Sequence, residues 1–433
     1  MRNTLKAAFK LGVISAALLA PFATQAATAG PGAWSSQQTW AADSVNGGNL
    51  TGFYYWPATQ PVHANGKRAL VLVLHGCAQT ASGDVINNGD NGYNWKAAAD
   101  QYGAVILAPN ATGNVSSQHC WDYSRTSHSR STGHEYVLLD LINRFKNDPQ
   151  YEIDPNQVYV TGLSSGGGET IVLGCIAPDV FAGWASNAGP TPGTTTLQIG
   201  AVPSGYTATN AKNNCLSLAG SNSSYFSTQI AGVVWGTSDF TVAPGYNPLM
   251  MDAMRQIYGG TFTKQASTSV ATGGTNTTYK DSSGRVRTHE LSVSGMSHAW
   301  PAGTGGQNTN YVTSQYVNYP LFVMDYFFTN NIRAGSGGGT TTTTAGGTTT
   351  TTAAGTTTTA ATTTTTASST TTTVAATCYT SSNYAHVTAG RAHNSSGYAL
   401  ANGSNQNMGL NNTFYTSTLK QTSPGYYVIG TCP

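Results

Sequence analysis

Charge is what this chain has least of: Asp, Glu, Lys and Arg together make up 8% of its 433 residues, and the formal net charge is +2. A nucleic-acid or anionic-membrane partner would need clustered Lys and Arg, which are absent, so neither is expected. Metal-ligand spacing is missing too. The nine histidines contain no H-x-x-x-H pair and the six cysteines no C-x-x-C, so no metal or other cofactor is expected. Long apolar runs are also lacking. The best candidate, from Leu11 to Phe22, is broken by Pro21 and falls short of the ~18 uninterrupted residues that a bilayer span requires. With Arg2, Lys6 and Lys10 before it and Thr24-Gln25-Ala26-Ala27-Thr28-Ala29 behind it, it reads as a secretory signal peptide over residues 1–26, cleaved after Ala26, Ala27 or Ala29. The expectation is a secreted, extracellular monomer without a membrane partner.

What the chain does have is a serine on a turn. Val158-Tyr159-Val160-Thr161 is an apolar, β-rich run leading into Gly162-Leu163-Ser164-Ser165-Gly166, and helix-compatible residues follow from Glu169 to Leu173 before Pro178. A G-x-S-x-G between strand and helix lifts a nucleophile clear of a sheet, with small residues where the backbones crowd. Upstream, Ala69 to Leu74 is continuously apolar, as a strand buried on both faces must be, and ends in His75-Gly76-Cys77. That position suits an oxyanion loop. Its N–H groups are assigned to Cys77 and to Ser165, with His75 positioning the loop. Downstream, Gly232 to Gly236 reads as another buried strand followed by Thr237-Ser238-Asp239, and His289 to Val293 runs on to Gly295-Met296-Ser297-His298. A lone Asp after a strand is more often a turn-former, and a lone His more often a surface or core residue. In the chain order Ser164, Asp239, His298, each at the C-terminal end of an expected strand, they form a nucleophile, an orienting carboxylate and a general base.

These segments, with Trp235-Gly236-Thr237-Ser238-Asp239-Phe240-Thr241-Val242 and Gly295-Met296-Ser297-His298-Ala299-Trp300-Pro301, resemble the secreted poly(3-hydroxybutyrate) depolymerases, in the type whose oxyanion segment precedes the serine. The resemblance implies an α/β-hydrolase catalytic domain and an insoluble polyester surface as partner. Feruloyl and acetylxylan esterases of plant cell wall share much of the pattern and are the alternative reading; a non-catalytic polymer-binding protein is the alternative from another class, disfavoured by the complete triad. Trp300 and Trp121 are the expected substrate-contacting side chains. One departure stands out: the family often continues H-A-W-P-G-G, whereas here Pro301 is followed by Ala302-Gly303-Thr304.

The expected catalytic domain spans residues 27–334. Within it Ala104 to Ala108 reads as a further strand, and Leu138, Leu141, Ile142 and Phe145 as one helix face behind a Thr132-x-x-Glu135 capping box. Residues 335–377 collapse into Thr, Gly and Ala, a composition unable to bury apolar surface, and read as a linker spanning roughly 35 Å as a coil. Residues 378–433 are rich in Tyr, Asn and Gly and too few for a self-sufficient core, so a bridge between Cys378 and Cys432 is expected to close a β-rich module. Its aromatics fit either a polymer-contacting platform or a small core around Tyr398, Leu400 and Tyr427. The module resembles C-terminal substrate-binding domains of polyhydroxybutyrate depolymerases and of some chitinases through Arg391-Ala392-His393 and Gly403 to Leu410. Four cysteines remain for the catalytic domain. Three pairings are possible, and Cys77–Cys120 with Cys175–Cys215 is the one expected.

Overall fold

In the strand Arg68–Leu74 successive side chains enter opposite cores: Ala69, Val71 and Val73 face one apolar cluster, and Leu70, Leu72 and Leu74 the other. That is why the run is apolar without alternation, since both faces of the sheet are covered. The computed structural model describes residues 27–63, 65–86, 93–334, 377–395, 398–411, 415–423 and 425–430. The signal-peptide reading, nearly all of the linker reading, and Cys432 with its expected bridge to Cys378 lie outside them.

Eight principal strands build the main sheet: β1 (Asn49–Trp56), β2 (Arg68–Leu74), β3 (Val105–Asn110), β4 (Ile153–Leu163), β5 (Gly183–Asn187), β6 (Ile230–Gly236), β7 (Gly274–Lys280) and β8 (Val286–Val293). Their order is β1-β3-β2-β4-β5-β6-β8-β7. The six from β3 to β8 run parallel, while β1 and β7 pair antiparallel at the two sides. Short strands at Ala33–Trp34 and Gln38–Ala42 extend the β1 side, and Thr263–Lys264 and Thr268–Val270 the β7 side.

Helices α1 (Trp95–Tyr102) and α6 (Tyr319–Asn330) cover one face; α2 (Gly133–Asn147), α3 (Ser165–Ile176), α4 (Ala208–Ala219) and α5 (Tyr246–Tyr258) cover the other. This is the α/β-hydrolase arrangement expected from the motifs. The strand after Ala104 begins at Val105 and continues to Asn110. The capping box is not formed. Thr132 makes no side-chain cap bond to α2, because Glu135 turns inward and its Oε1 accepts from His128 Nδ1.

The described residues between 377 and 430 build a small unit of their own elements: helix α7 (Asn383–Thr388), one sheet from β9 (Thr377–Ser382), β13 (Thr416–Ser423) and β14 (Tyr426–Ile429), and another from β10 (Ala392–Ser395), β11 (Tyr398–Ala401) and β12 (Asn407–Leu410). Its buried apolar residues are Ala392, Ala399, Ala401, Met408 and Leu419, with Tyr427 packed against them. Leu400, inside on one of the two readings, is half-buried, since alternation along β11 sends Ala399 and Ala401 inward. Tyr384 and Tyr426 stay exposed.

Candidate active site

Ser164 sits between β4 and α3 with φ 58° and ψ −117°, a left-handed backbone that a non-glycine residue holds only where its surroundings demand it, at about 1–3 kcal/mol. The surroundings are visible. Ser164 N–H donates to Asn187 O at the end of β5 (2.9 Å), and its carbonyl accepts from Gly168 N–H in α3 (2.8 Å). The glycines of the motif are required by contact: a Cβ on Gly162 would lie 2.2 Å from Gly166 O, and one on Gly166 2.4 Å from His75 O. Ser164 itself remains half-buried.

Asp239 and His298 follow β6 and β8, and the two loops are laced together. Thr237 N–H donates to Val293 O (3.0 Å) and Ser238 N–H to Met296 O (3.0 Å), while Gly295 N–H donates to Thr237 Oγ1 (2.9 Å). Gly236 permits the crossing, since a Cβ there would stand 2.0 Å from Met296 O. As a result His298 Nδ1 lies 2.7 Å from Asp239 Oδ2. The other carboxylate oxygen accepts from the N–H groups of Thr241 and Val242, each at 2.9 Å. Asp239 is 4% exposed and His298 7%, so the pair is shielded and its charge-assisted bond is strengthened.

The oxyanion segment leaves β2 beside the serine. A Cβ on Gly76 would lie 3.3 Å from Ser164 Cβ. Its amide is spent, because Gly76 N–H donates to Gln79 Oε1 (2.7 Å), and so is that of Ala78, which donates to Gln118 O (2.7 Å). Among the described residues the N–H groups of Cys77 and Ser165 have no hydrogen-bond acceptor, which is the condition an oxyanion hole imposes. Cys77 is bonded to Cys120, and Cys175 to Cys215.

His75 is buried, with both nitrogens committed. Nδ1–H donates to Gly76 O (2.7 Å) and Nε2 accepts from Ala111 N–H (3.1 Å). Burial pushes its pKa down to about 4, so it is a neutral strut between the oxyanion segment and the end of β3.

Two expectations need correction. Trp121 and Trp300 are 1% and 3% exposed and cannot contact a solid substrate. The Trp121 indole N–H donates to His75 O (2.9 Å) and its backbone N–H to Ser165 Oγ (3.3 Å), so it braces the site from beneath. Trp300 packs edge-on against Trp95 and tilted against Tyr319, because Trp300–Pro301 pairs with Val312–Thr313. The departure after Pro301 falls in this inward turn.

Among the apolar side chains that do face solvent, the most exposed are Phe240 (93%), next to Asp239, and Leu197 (96%). Their segments are joined by Ala243 N–H donating to Ile199 O (2.8 Å). Tyr311 is half-exposed and meets the His298 ring edge-on at 5.9 Å. Asn187, whose carbonyl holds Ser164 N–H, also reaches Ala299 O through Nδ2 (3.1 Å). Sequence reasoning missed these four and Gln79. Only Asn187 carried a usable signal, as a polar residue closing a buried parallel strand.

The esterase family described as Esterase PHB depolymerase matches residues 53–259. A poly(3-hydroxybutyrate) depolymerase of Ralstonia pickettii is 61% identical over 471 aligned residues, covering 96% of this chain and 96% of its own. Poly(3-hydroxyalkanoate) depolymerase C of Paucimonas lemoignei is 32% identical over 266 residues, 60% of this chain and 61% of its own. Among solved structures, an acetyl xylan esterase from Aspergillus awamori aligns with a TM-score of 0.47 at 17% identity, covering 61% of this chain and 94% of that one.

Proposed function

The chain belongs to the poly(3-hydroxybutyrate) depolymerase family of esterases, and from that premise we propose that Ser164, His298 and Asp239 cleave the ester bonds of an insoluble short-chain polyhydroxyalkanoate, poly(3-hydroxybutyrate) foremost. The observation that carries the reading is the conjunction of a left-handed Ser164 with a shielded His298–Asp239 pair at 2.7 Å. Ser164 Oγ attacks the ester carbonyl carbon while His298 Nε2 takes its proton, and Asp239 stabilises the imidazolium through Nδ1–H. Charge that develops on the carbonyl oxygen is held by the Cys77 and Ser165 N–H groups. Collapse breaks the C–O bond and the leaving alcohol end takes the proton from His298. Water, activated by the same imidazole, then splits the acyl-enzyme to release the acid.

The protein is a carboxylic ester hydrolase. Its export is supported by the signal-like residues 1–26. Adsorption is assigned to two surfaces: the C-terminal unit, through exposed aromatics such as Tyr384 and Tyr426, and the Phe240 and Leu197 side chains of the catalytic domain. No helix among the described residues is long and apolar enough to cross a membrane.

Ser164→Ala tests the assignment. It should lower kcat on a soluble p-nitrophenyl ester by about 10⁶ while leaving adsorption to polymer intact. Activity within tenfold of wild type would remove Ser164 as nucleophile. Wild-type protein should clear an opaque polyhydroxybutyrate suspension; release of ferulate or acetate from xylan without clearing would overturn the substrate.

A further inference from the structure

Behind the serine, on the α2 and α3 side of the sheet, the carboxylates of Asp122, Glu135 and Glu169 converge. All three are buried, and one oxygen from each lies within 4.8 Å of the others. Buried carboxylates are ordinarily saturated with donors, because an unpaired one is among the most expensive groups to enclose. Here the saturation is incomplete. Asp122 Oδ2 accepts from Asn46 Nδ2 (2.8 Å) and Arg125 (3.2 Å), and Glu135 Oε1 accepts from His128. Glu135 Oε2 and both oxygens of Glu169 have no hydrogen-bond partner among the described residues, and Asp122 Oδ1 has the His134 ring beside it, Nδ1 at 2.9 Å. Glu169 is 0% exposed, so water does not reach it from outside.

Charge points the same way. Asn46 joins Asp43 to Asp122 through Nδ2 (3.0 and 2.8 Å), placing a fourth carboxylate beside the three. The His134 ring is packed against Asp122, with Nδ1 3.0 Å from the Asp122 backbone nitrogen and 2.9 Å from Asp122 Oδ1, and Nε2 3.1 Å from Thr112 O. Four carboxylates therefore crowd together with Arg125 as the one permanently charged side chain, among the described residues, bonded to them. Gly133 lines the same space. A Cβ at that position would lie 2.8 Å from Arg125 Nη1, 3.2 Å from Glu135 Oε2 and 3.5 Å from Asp122 Oδ2.

We propose that Asp122, Glu135 and Glu169 bind a calcium ion. The donors are all hard oxygens, which excludes a preference for zinc or copper, and an oxygen spread of 4.8 Å is what ligands about 2.3–2.6 Å from one ion allow. A divalent cation would offset the mutual repulsion of these carboxylates and give the Glu169 oxygens the partner they lack. Its position has a consequence for the catalytic residues. Glu169 lies on α3 five residues beyond Ser164, and Asp122 is two residues from the Cys120 that bridges to Cys77. The ion thus ties the helix bearing the nucleophile to the segment that holds the oxyanion loop, through groups that touch no substrate. The sequence offered no such expectation, because the three ligands lie 13 and 34 positions apart in no recognisable spacing.

The test uses the full-length protein, measured for metal content by elemental mass spectrometry and for thermal stability with and without EDTA. We expect about one calcium per chain. At free calcium about a thousandfold above Kd, the melting temperature should stand roughly 6 °C above that of the stripped protein. Calcium chloride should restore it and magnesium or zinc should not. Glu169→Gln should bind calcium at least tenfold more weakly in calorimetry and melt at the same temperature in calcium and EDTA. Identical melting of wild type in both conditions, with no bound metal, would overturn the proposal and identify a cluster neutralised by protons. Retention of full calcium affinity by Glu169→Gln would also overturn it. Should that variant fail to fold, the wild-type titration alone still decides.

Discussion

His289 offers a sharp test of how burial governs the pH dependence of stability. It lies on β8 opposite Gly232 of β6, fully buried, with Tyr326 and Phe322 edge-on at 4.3 and 5.2 Å. Neither ring nitrogen has a hydrogen-bond partner among the described residues. Gly232 makes the room, since a Cβ there would stand 1.9 Å from Nε2. Burial alone pushes the pKa down to about 3. The native ring therefore stays neutral well below the pH at which the same ring in the unfolded chain, near its ordinary 6.5, takes up a proton. Between those values the unfolded state binds more protons, so stability falls as pH falls. At pH 5 the contribution is about 2 kcal/mol, from 1.5 pH units at 1.36 kcal/mol each. His289→Leu abolishes this term and leaves that of His75 unchanged. Urea unfolding followed by tryptophan fluorescence should find the variant gaining about 2 kcal/mol on wild type between pH 8 and pH 5. At pH 8 it should be no less stable, because two unpartnered nitrogens have been removed. Parallel pH profiles for the two proteins would refute the reasoning, and would mean that the native ring is protonated or hydrogen-bonded after all.

Three further outcomes follow from the site and its surroundings. Replacing Cys77 and Cys120 together by Ser should lower kcat by tenfold or more through a loosened Cys77 N–H, and should cost up to about 4 kcal/mol of stability for a bridge spanning 43 positions; ester assays and thermal unfolding check both. Truncation after Ala334 should preserve turnover of a soluble ester and remove most activity on polymer granules at low enzyme concentration, since tethering matters only at a surface. Equal granule rates for the two forms would end the adsorption role of the tail. Phe240→Ser with Leu197→Ser should slow granule hydrolysis severalfold while leaving soluble-ester kcat/KM within about twofold; equal losses on both substrates would mean that these side chains serve the chemistry instead.

The parts of this molecule that could be read in advance are those where one local rule dominates. Continuous apolar runs announced β2, β4 and β6 because a doubly covered strand has no polar face, and the elbow glycines are contacts that admit no side chain. The pairing of His298 with Asp239 needed only strand ends. What could not be read depends on the path of the chain between those ends. Trp121 and Trp300 were expected at the surface because aromatics near a catalytic motif suggest substrate, yet short pairing with Val312–Thr313 turns Trp300 inward, and a bond to His75 O holds Trp121 beneath the site. Glu135 fitted a capping box in spacing; the buried network with His128 outcompeted the helix end. Phe240 and Leu197 gave no periodic signal, since their outward orientation follows from loops whose shape is decided by the residues they pack against.

The left-handed backbone of Ser164 also limits which amino acid could ever replace it. Threonine carries the same hydroxyl and is used as a nucleophile elsewhere, but a β-branched side chain at φ 58° is a genuine steric outlier, with two heavy substituents on Cβ and little rotational freedom to relieve the clash. Cysteine, unbranched, could occupy the turn. The elbow therefore selects for chain branching before it selects for chemistry, and a single-base drift from serine to threonine at this codon would be lost through backbone geometry even though the reactive oxygen was retained.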